Sequence, residues 1–534
     1  ASLFFTAQQS RAEFQDGHEL VARLPVGWPS PVALAPFDGA NAALVRNVAP
    51  SGWQNPVPAK RYQLVIVGAG TAGLVSAAIA SGLGARVALI ERHLFGGDCL
   101  NFGCVPSKAV ISAARSWHAA ASASRDFGGP AVSGNGDFGA VMERLRTLRA
   151  SLSDVDAAER FRGLGVDVYF GQARFTSADQ LDVAGTTLRF RRAIVATGAR
   201  ASVPPIPGLA DTPYLTNETV FSLTELPKRL LVFGGGPIGA EMAQSFARFG
   251  CAVTTVHADA RLLPRDTPEA SAVVAKTFAA DGVQVVNGAK ITRVMHGDGE
   301  FTVTTEVNGA HVAFSADQLL VATGRAPNVD TLDLEKAGVK YTRQGIAVSD
   351  KLRTSNPRIF AIGDVASAFQ FTHVADAQAR LAVANALFFG LGGGRASQLV
   401  IPRVTYTAPE VAHVGVTAAE ATANGEAVDT VTIQLMHNDR ARLDGHAEGF
   451  LSVYLRRGTD RILGGTLVAD HAGEMIGELA VAIKNGVGLS ALGGTIHAYP
   501  TQSEVYRRAA DTLRRGRLTP FAKRVFKLWF RIFS

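Results

Sequence analysis

Two of the three cysteines in this 534-residue chain, Cys99 and Cys104, lie close together in the stretch GGDCLNFGCVPSK. The Val-Pro pair after Cys104 is typical of a first helical turn, where the helix dipole stabilises a thiolate. The two sulfurs can form a disulfide if the backbone folds back between them. We therefore interpret them as a redox pair, with a zinc site and two buried structural thiols as the alternatives.

A glycine-rich turn that could hold phosphate groups precedes the cysteines. Gly68, Gly70 and Gly73 form a GxGxxG pattern between a predicted strand and a predicted helix. In such a turn the second glycine lets the backbone approach a pyrophosphate, and the helix N-terminus favours its negative charge. Glu91, at the end of the following strand, has the position of an acid that accepts a hydrogen bond from a ribose 2′-hydroxyl. These residues predict a dinucleotide-binding site.

The same pattern occurs a second time, at Gly234, Gly236 and Gly239. Here the following strand ends at His257 instead of an acid, and Arg261 comes four residues later. Without a carboxylate a 2′-phosphate is not repelled, and Arg261 could pair with it, which favours NADPH with NADH as the alternative. Two dinucleotide sites beside a cysteine pair indicate FAD together with NAD(P)H.

The elements that must position these groups follow an α/β plan. Residues 61–91 read as a strand, a glycine turn, an alanine-rich helix and a second strand, and a similar unit begins at Arg229. From about residue 401, alternating strands and helices predict an α+β domain. The predicted fold class is therefore α/β, with two Rossmann-like dinucleotide-binding domains followed by an α+β domain.

Composition and charge exclude several classes of protein. The chain is 47% hydrophobic and 19% charged, which is typical of a globular protein, and three cysteines are too few for a disulfide-rich secreted scaffold. Its formal charge of +7 is concentrated in residues 505–534, which carry nine Lys or Arg and one Asp. The basic character is therefore local, and we expect no nucleic-acid partner.

The two ends of the chain differ from the rest. Residues 1–60 hold seven prolines and are expected to lie on the surface or to be partly disordered. They show no secretory signal, so a cytoplasmic location is expected. Residues 513–534 predict a basic amphipathic helix, which suits contact with the inner face of a membrane or docking on the protein itself. Both interpretations of this segment remain open.

GGDCLNFGCVPSK resembles the redox-active signature of the FAD-dependent pyridine nucleotide–disulfide oxidoreductases. The likeness covers about residues 61–512 and includes ATG, ATGRxPN and GD motifs and Ala408-Pro409-Glu410. It implies an FAD-binding domain in two parts, 61–205 and 329–400, around an NAD(P)-binding domain at 206–328. It also implies that residues 401–512 form a dimerisation domain, and that the protein is a homodimer.

The resemblance also implies roles for individual residues. Cys104 would be the thiol that faces the flavin and forms a charge-transfer pair with it, and Cys99 would be the thiol that meets the substrate. Lys108 would lie near the flavin and pair with Glu241. Asp98 departs from the threonine that the family usually has there. Further cofactor contacts are implied at Gly97, Ala173, Gly198, Asp364 and Ala375 for FAD and at Gly324 for NAD(P).

Thiol reductases of this family carry a His-Pro-Thr segment whose histidine is an acid/base, oriented by a glutamate. The corresponding stretch here is TIHAYPTQSEVY, in which Tyr499 precedes the proline while His497 and Glu504 are present. An unperturbed tyrosine, with a pKa of about 10, is a proton donor at neutral pH. This departure makes the chain most similar to mercuric reductase-like proteins that lack both the additional C-terminal cysteine pair and the N-terminal metal-binding domain.

The expected enzyme passes electrons from NADPH through FAD to the Cys99–Cys104 disulfide and on to an acceptor. A soft metal ion such as Hg(II), another metal ion or a disulfide would serve, with the two cysteines as ligands of a substrate metal; no structural metal site is expected. One alternative is a transhydrogenase or quinone reductase that does not need the thiols. Another is a membrane-associated redox sensor whose basic helix reports the state of the flavin or the disulfide.

Overall fold

The computed structural model of this chain describes residues 34–134, 136–388 and 393–533. The predicted extension at residues 1–60 therefore lies partly outside the described residues. The remaining residues form the predicted plan, with two folds built on parallel sheets followed by an α+β domain. The predicted fold class is confirmed.

The first fold is built on strands that are buried because helices pack on one face of their sheet, while antiparallel strands and the segment at residues 329–346 pack on the other. The strand YQLVIV buries five of its six residues. Its helices and strands are α1 (Gly39–Val48), β1 (Tyr62–Val67), α2 (Thr71–Gly82), β2 (Val87–Glu91), α3 (Gly97–Asn101), α4 (Cys104–Phe127), α5 (Phe138–Leu152), α6 (Ala158–Gly163), β3 (Asp167–Phe170), β4 (Ala173–Ser177), β5 (Gln180–Val183), β6 (Thr186–Val195) and β7 (Ala199–Ala201). Strands β3, β2, β1 and β6 lie side by side and parallel, which places the glycine turn after β1 at the carboxyl edge of the sheet.

Helix α1 lies in the N-terminal extension, for which no helix was predicted. Its side chains Leu44 and Val48 are fully buried in the core of the first fold. Asn41 on the same helix accepts a hydrogen bond of 2.6 Å from Arg149 of α5. Residues 39–48 are thus held by packing against the fold, although their own sequence shows little periodicity.

The second fold repeats the parallel arrangement on a smaller sheet. Its elements are β8 (Arg229–Phe233), α7 (Pro237–Arg248), β9 (Ala252–Val256), α8 (Pro268–Ala280), β10 (Gln284–Val286), β11 (Lys290–Gly297), β12 (Glu300–Val307), β13 (Ala310–Ala316), β14 (Gln318–Val321) and β15 (Arg325–Pro327). Strands β10, β9, β8 and β14 are parallel, and β11, β12 and β13 form an antiparallel sheet beside them.

The chain then returns to the first fold. The elements of this segment are β16 (Tyr341–Thr342), β17 (Gly345–Ile346), β18 (Ile359–Ala361) and α9 (Thr372–Leu387). Strand β18 pairs in parallel with β6, so it extends the sheet of the first fold. The N-terminus of α9 thereby reaches the region of the cysteines.

The third unit is an antiparallel sheet covered by helices. Its elements are β19 (Pro402–Thr405), β20 (Glu410–Gly415), α10 (Ala418–Ala423), β21 (Val428–Gln434), α11 (Asp439–Leu443), β22 (Phe450–Arg456), β23 (Ile462–Ala469), α12 (Ala472–Asn485), α13 (Leu489–Leu492) and α14 (Val505–Gly516), and they are followed by α15 (Pro520–Phe533). The strand order is β19-β20-β23-β22-β21. Within the described residues, no helix has both the length and the apolar character to cross a membrane.

Candidate active site

A cavity of about 2300 Å³ extends between the two parallel folds and the third unit. Both glycine turns, both cysteines of the pair and the start of α9 line it. Because the turns follow β1 and β8, the carboxyl ends of two separate sheets meet at this cavity. The arrangement can hold two extended ligands whose ends meet near the cysteines.

The first glycine turn is so tightly folded that two of its glycines cannot be replaced by residues with side chains, and its backbone is left uncovered for a ligand. A Cβ on Gly68, whose φ is +104°, would lie 2.4 Å from the carbonyl oxygen of Ala196. Gly73 lets helix α2 pack closely, since its Cβ would lie 1.8 Å from the carbonyl oxygen of Gly68. Both clashes are with backbone, which cannot move aside. The turn therefore fits the pyrophosphate of a dinucleotide such as FAD.

Glu91 lies at the edge of the cavity, at the end of β2. Its carboxylate accepts hydrogen bonds from the backbone N–H groups of Ala69 (2.7 Å) and His93 (2.8 Å). Burial raises the pKa of Glu91 from its usual value. These contacts join the carboxylate to the glycine turn beside it, and its contact with a ribose stays a prediction.

The loop that carries the cysteines is pressed against the first glycine turn. Gly70 and Gly96 form a parallel bridge between the two segments. Gly97 has a φ of +56°, and a Cβ there would lie 2.7 Å from the Cα of Gly70. The absence of side chains at this crossing holds α3 and its Cys99 directly beside the predicted FAD turn.

The two cysteines are free thiols that contact each other. Cys99 lies in α3 and Cys104 is the first residue of α4. The Cys104 sulfur also lies 3.2 Å from the hydroxyl oxygen of Thr372, the first residue of α9. Hydrogen bonds from Cys99 and Thr372, together with the charge of Lys108, lower the pKa of Cys104. The hydrogen bond to Cys104 and burial raise the pKa of Cys99. Cys104 is thus the sulfur that carries the negative charge.

The zinc alternative has no support in the described residues. No cluster of three or more His, Cys, Asp or Glu side chains that could hold a metal ion occurs there. Cys251, the remaining cysteine, is buried elsewhere, in the hydrophobic core beside β8 and β9.

Lys108 and Glu241, which the resemblance paired, are in contact. The Lys108 ammonium lies 2.9 Å from one carboxylate oxygen of Glu241, and the other oxygen accepts a hydrogen bond of 2.9 Å from the Tyr406 backbone N–H. The same ammonium lies 4.3 Å from the centre of the Tyr406 ring. The three residues come from α4, α7 and the third unit, so this contact joins all three parts of the chain next to Cys104.

Asp98, the departure from the family pattern, forms an ion pair with Arg325. The guanidinium lies 2.7 Å from the Asp98 carboxylate and 3.5 Å from that of Asp364. The Asn217 side chain donates a further hydrogen bond of 3.2 Å to Asp98. Arg325 is not among the predicted site residues, although the ATGRxPN motif contains it.

The second glycine turn repeats the geometry of the first. A Cβ on Gly234, whose φ is +113°, would lie 2.3 Å from the carbonyl oxygen of Ala322. A Cβ on Gly239 would lie 2.1 Å from the carbonyl oxygen of Gly234. In this turn, as in the first, these two glycines cannot carry side chains, and the backbone can approach a pyrophosphate. The turn therefore fits the pyrophosphate of NAD(P)H.

The residues predicted to contact the second cofactor's ribose are arranged differently from expectation. His257 is buried, with its ring against Gly235, and it is not among the residues that line the cavity. Arg261 lines the cavity, but its guanidinium donates hydrogen bonds of 3.1 Å to the carbonyl oxygens of Pro264 and Asp266. The carboxylate-bearing residue Asp259 also lines the cavity. The preference for NADPH therefore stays a prediction.

Tyr499 and Glu504 lie away from the cysteines of their own chain. Tyr499 is 70% exposed, and its hydroxyl lies 3.3 Å from a carboxylate oxygen of Asp439. Glu504 is buried and bonded to Arg507. Neither residue lines the cavity, whereas most of the other predicted site residues do. Those that line it are Gly68, Gly70, Glu91, Gly97, Cys99, Cys104, Lys108, Ala173, Gly198, Gly234, Gly236, Glu241, Arg261, Gly324, Asp364 and Ala375.

Comparison with known families agrees with this architecture. Residues 62–379 match the sequence model described as "Pyridine nucleotide-disulphide oxidoreductase". Residues 401–510 match the model described as "Pyridine nucleotide-disulphide oxidoreductase, dimerisation domain". Together the two matches cover both parallel folds and the third unit.

Individual relatives are similar over most of their length. A mercuric reductase from Acidithiobacillus ferrooxidans is 36% identical, over 85% of this chain and 83% of that protein. A dihydrolipoyl dehydrogenase from Geobacillus stearothermophilus is 34% identical, over 84% of this chain and 95% of that protein. A solved Cu(II) complex of the HOCl-induced flavoprotein disulfide reductase RclA from Escherichia coli superposes with a TM-score of 0.75 at 29% identity, over 85% of this chain and all of that one.

Proposed function

Because the chain belongs to the pyridine nucleotide-disulphide oxidoreductase family, whose members use FAD and NAD(P)H, we propose that its Cys99–Cys104 pair reduces a soft metal ion. NADPH is the proposed electron donor, with NADH as the alternative. Hg(II) and Cu(II) are the proposed acceptors, since mercuric reductases and a Cu(II)-bound flavoprotein are among the similar proteins. Both ions bind thiolates well.

The chain offers one glycine turn for each dinucleotide. The turn at Gly68 would hold FAD, with Asp364 also lining the cavity, and the turn at Gly234 would hold NAD(P)H. When bound, FAD supplies the means to carry an electron pair from the nicotinamide to the Cys99–Cys104 disulfide. The protein's own task is to keep the two sulfurs at this junction, which the crossing of Gly97 over Gly70 achieves.

The observation that carries the proposal is the stabilised thiolate of Cys104. Cys99, Thr372 and Lys108 stabilise its negative charge, so a ligand for a soft cation is present at neutral pH without a separate base. Once Cys99 has also lost its proton, both sulfurs can bind the ion. The two thiolates, which no longer carry protons, then join as a disulfide and give up two electrons, and one Hg(II) takes both electrons or two Cu(II) ions take one each.

Reduction of a small disulfide fits this site less well. The interchange thiol then needs a nearby base that removes and returns its proton. The position that the family's thiol reductases fill with histidine is Tyr499 here. A metal ion instead displaces the remaining thiol proton, that of Cys99, as it binds, and a tyrosine hydroxyl can still donate to a leaving group or a metal-bound ligand.

We propose further that the enzyme is a homodimer in which Tyr499 acts at the cysteines of the other subunit. The dimerisation-domain match covers Tyr499, whose side chain is largely exposed. Within one chain Tyr499 contacts Asp439 and not the cavity. A twofold partner would bring the tyrosine to the cysteine pair and would explain its exposure in a single chain.

We place the reaction in the cytoplasm, at the inner face of the membrane. NAD(P)H and a reduced thiol pair are both typical of that compartment. The basic helix α15 supports the membrane contact, because its charge suits the anionic inner surface.

An acceptor screen tests the proposal. The FAD-loaded protein is assayed with NADPH and with NADH against Hg(II), Cu(II), glutathione disulfide, lipoamide and quinones. We expect metal-dependent oxidation of NADPH that is lost in Cys99→Ser and Cys104→Ser. Preference for glutathione disulfide or lipoamide over both ions would overturn the choice of acceptor. Full turnover in the two serine variants would instead favour a quinone reductase or transhydrogenase that does not need the thiols.

A further inference from the structure

Helix α15 lies outside every hydrophobic core that the described residues form. None of its 14 residues is buried, although nine of them are apolar. Phe521 is 75% exposed, Trp529 is 55% exposed and Ile532 is 65% exposed. Large apolar side chains are rarely clustered on a free surface, so an apolar patch of this kind marks a contact with a partner.

The helix separates its charged and apolar side chains completely. At about 100° per residue, its four cationic side chains fall within a sector of roughly 100°. The apolar side chains fill the remaining surface, and no acidic residue occurs between Asp511 and the end of the helix. The cationic side chains are Lys523, Arg524, Lys527 and Arg531, and the apolar sector is centred on Phe521, Val525, Trp529, Ile532 and Phe533.

The positive charge of this helix is not neutralised by the described part of the chain. None of its four cationic side chains forms an ion pair there. Arg515 and Arg517, which precede the helix, are also exposed and add to the same charge. A partner must therefore offer an apolar layer and a dense layer of negative charge side by side.

We propose that α15 binds the surface of an anionic phospholipid bilayer. The lipid phosphates would contact the cationic sector, and the acyl-chain boundary would receive the apolar sector, with Trp529 at the level where aromatic rings are favoured. At about 1.5 Å per residue the helix is roughly 21 Å long, shorter than the hydrocarbon core of a bilayer. It therefore lies in the plane of the surface and does not cross it.

Helix α14 connects this contact firmly to the enzyme. Its Tyr506 is fully buried and donates a hydrogen bond of 2.6 Å to the carbonyl oxygen of Met475. Arg514, near its end, donates a hydrogen bond of 2.9 Å to the carbonyl oxygen of Ser490. The chain leaves the third unit at Gly516 and enters α15 at Pro520. Binding of α15 would thus hold the redox site within a short linker of the membrane surface.

This inference does not depend on which acceptor the enzyme reduces, and its test is a binding measurement. The FAD-loaded full chain is sedimented with vesicles of equimolar phosphatidylglycerol and phosphatidylcholine, and with phosphatidylcholine alone. We expect binding to the anionic vesicles, weakening as salt screens the charges, and little binding to the neutral ones. Trp529 fluorescence, taken as the difference from Trp529→Phe, should shift to shorter wavelength on binding.

Reversing the charge of two lysines on α15 tests directly whether the cationic side chains cause the binding to anionic vesicles. Lys523→Glu/Lys527→Glu should lower the partition coefficient at least about tenfold, since each basic residue near such a surface contributes roughly 1 kcal/mol. The matched control is Lys228→Glu/Lys340→Glu, which changes the charge equally at two exposed lysines outside the helix. NADPH oxidation in solution should be the same for both variants, which shows that both are folded.

Three results would overturn the inference. The first is equal binding to anionic and neutral vesicles, and the second is an equal loss of binding in the control variant. The third is a wild-type chain that does not sediment with vesicles while removal of residues 517–533 converts its dimer to a monomer. That result would show that the helix packs on a second copy of the chain.

Discussion

The sulfur of Cys104 lies 3.2 Å from the hydroxyl oxygen of Thr372, a residue 268 positions away along the chain. The contact places the first residue of α9 against the first residue of α4. Two helix N-termini, both favourable to negative charge, therefore meet at one sulfur. The hydroxyl can rotate so that it donates to a thiolate.

This contact predicts a shift in a pH titration. The pKa of Cys104 is lowered by hydrogen bonds from Cys99 and Thr372 and by the charge of Lys108, so the thiolate persists as the pH falls below the usual range of a thiol. Thr372→Val removes one donor and should move loss of the thiolate to higher pH by roughly one unit. The measurement is the pH midpoint of the long-wavelength absorbance of the reduced, FAD-loaded enzyme. Thr372→Ser keeps the hydroxyl and should keep the wild-type midpoint. An unchanged midpoint in the valine variant contradicts the prediction.

Breaking the ion pair between Lys108 and Glu241 should make the folded protein less stable. Lys108→Met leaves a buried carboxylate without its ammonium, but Lys108 is 38% exposed and solvent screens part of the effect. We expect a decrease of roughly 1–2 kcal/mol in the free energy of unfolding, measured by urea denaturation. Lys276→Met, which breaks the exposed pair with Glu448, is the control and should cost at most about 0.5 kcal/mol. An equal decrease in the free energy of unfolding in the two variants would show that the pair of Lys108 and Glu241 stabilises the protein no more than an exposed ion pair does.

The close crossing of Gly97 over Gly70 predicts a loss of FAD binding. In Gly97→Ala the new Cβ would lie 2.7 Å from the Cα of Gly70, so the cysteine loop must move away from the phosphate turn. FAD bound per chain, read from the flavin absorbance, should fall several-fold. Gly128→Ala has a similarly positive φ but no atom within 4 Å of the new Cβ, so it introduces backbone strain alone. This control should keep its FAD. Retention of FAD by both variants would count against the predicted cradle.

The exposed position of Tyr499 predicts complementation between subunits. Tyr499→Phe should lower metal-dependent turnover by roughly 10²-fold, the size of a typical general acid contribution. Mixed dimers of Tyr499→Phe and Cys104→Ser chains, formed by refolding the two together, should regain activity. The reason is that, if the tyrosine acts across the dimer, one of the two sites combines the intact cysteine pair of the Tyr499→Phe chain with the intact Tyr499 of the Cys104→Ser chain. No recovery in verified mixed dimers would mean that each chain uses its own tyrosine or none.

Much of the site was predictable because its signals are local. The glycine turns and the helix that begins at Cys104 depend on backbone conformations that a few neighbouring residues decide. The alternation of apolar strands and helices likewise predicted the order of the folds. The pairing of Lys108 with Glu241 was reached through the resemblance, since nothing in their spacing of 133 residues indicates a contact.

The chain's own sequence determined which residues are chemically competent: a cysteine pair at a helix start, two phosphate turns and an amphipathic basic helix. Tertiary structure decided which of them meet. It brought Thr372 to Cys104 and Arg325 to Asp98, buried His257 away from the cavity, and kept Tyr499 outside it. The physical reason is that turns and helix starts are set by short-range sterics and hydrogen bonds. Contacts between distant segments depend instead on how whole sheets and helices pack.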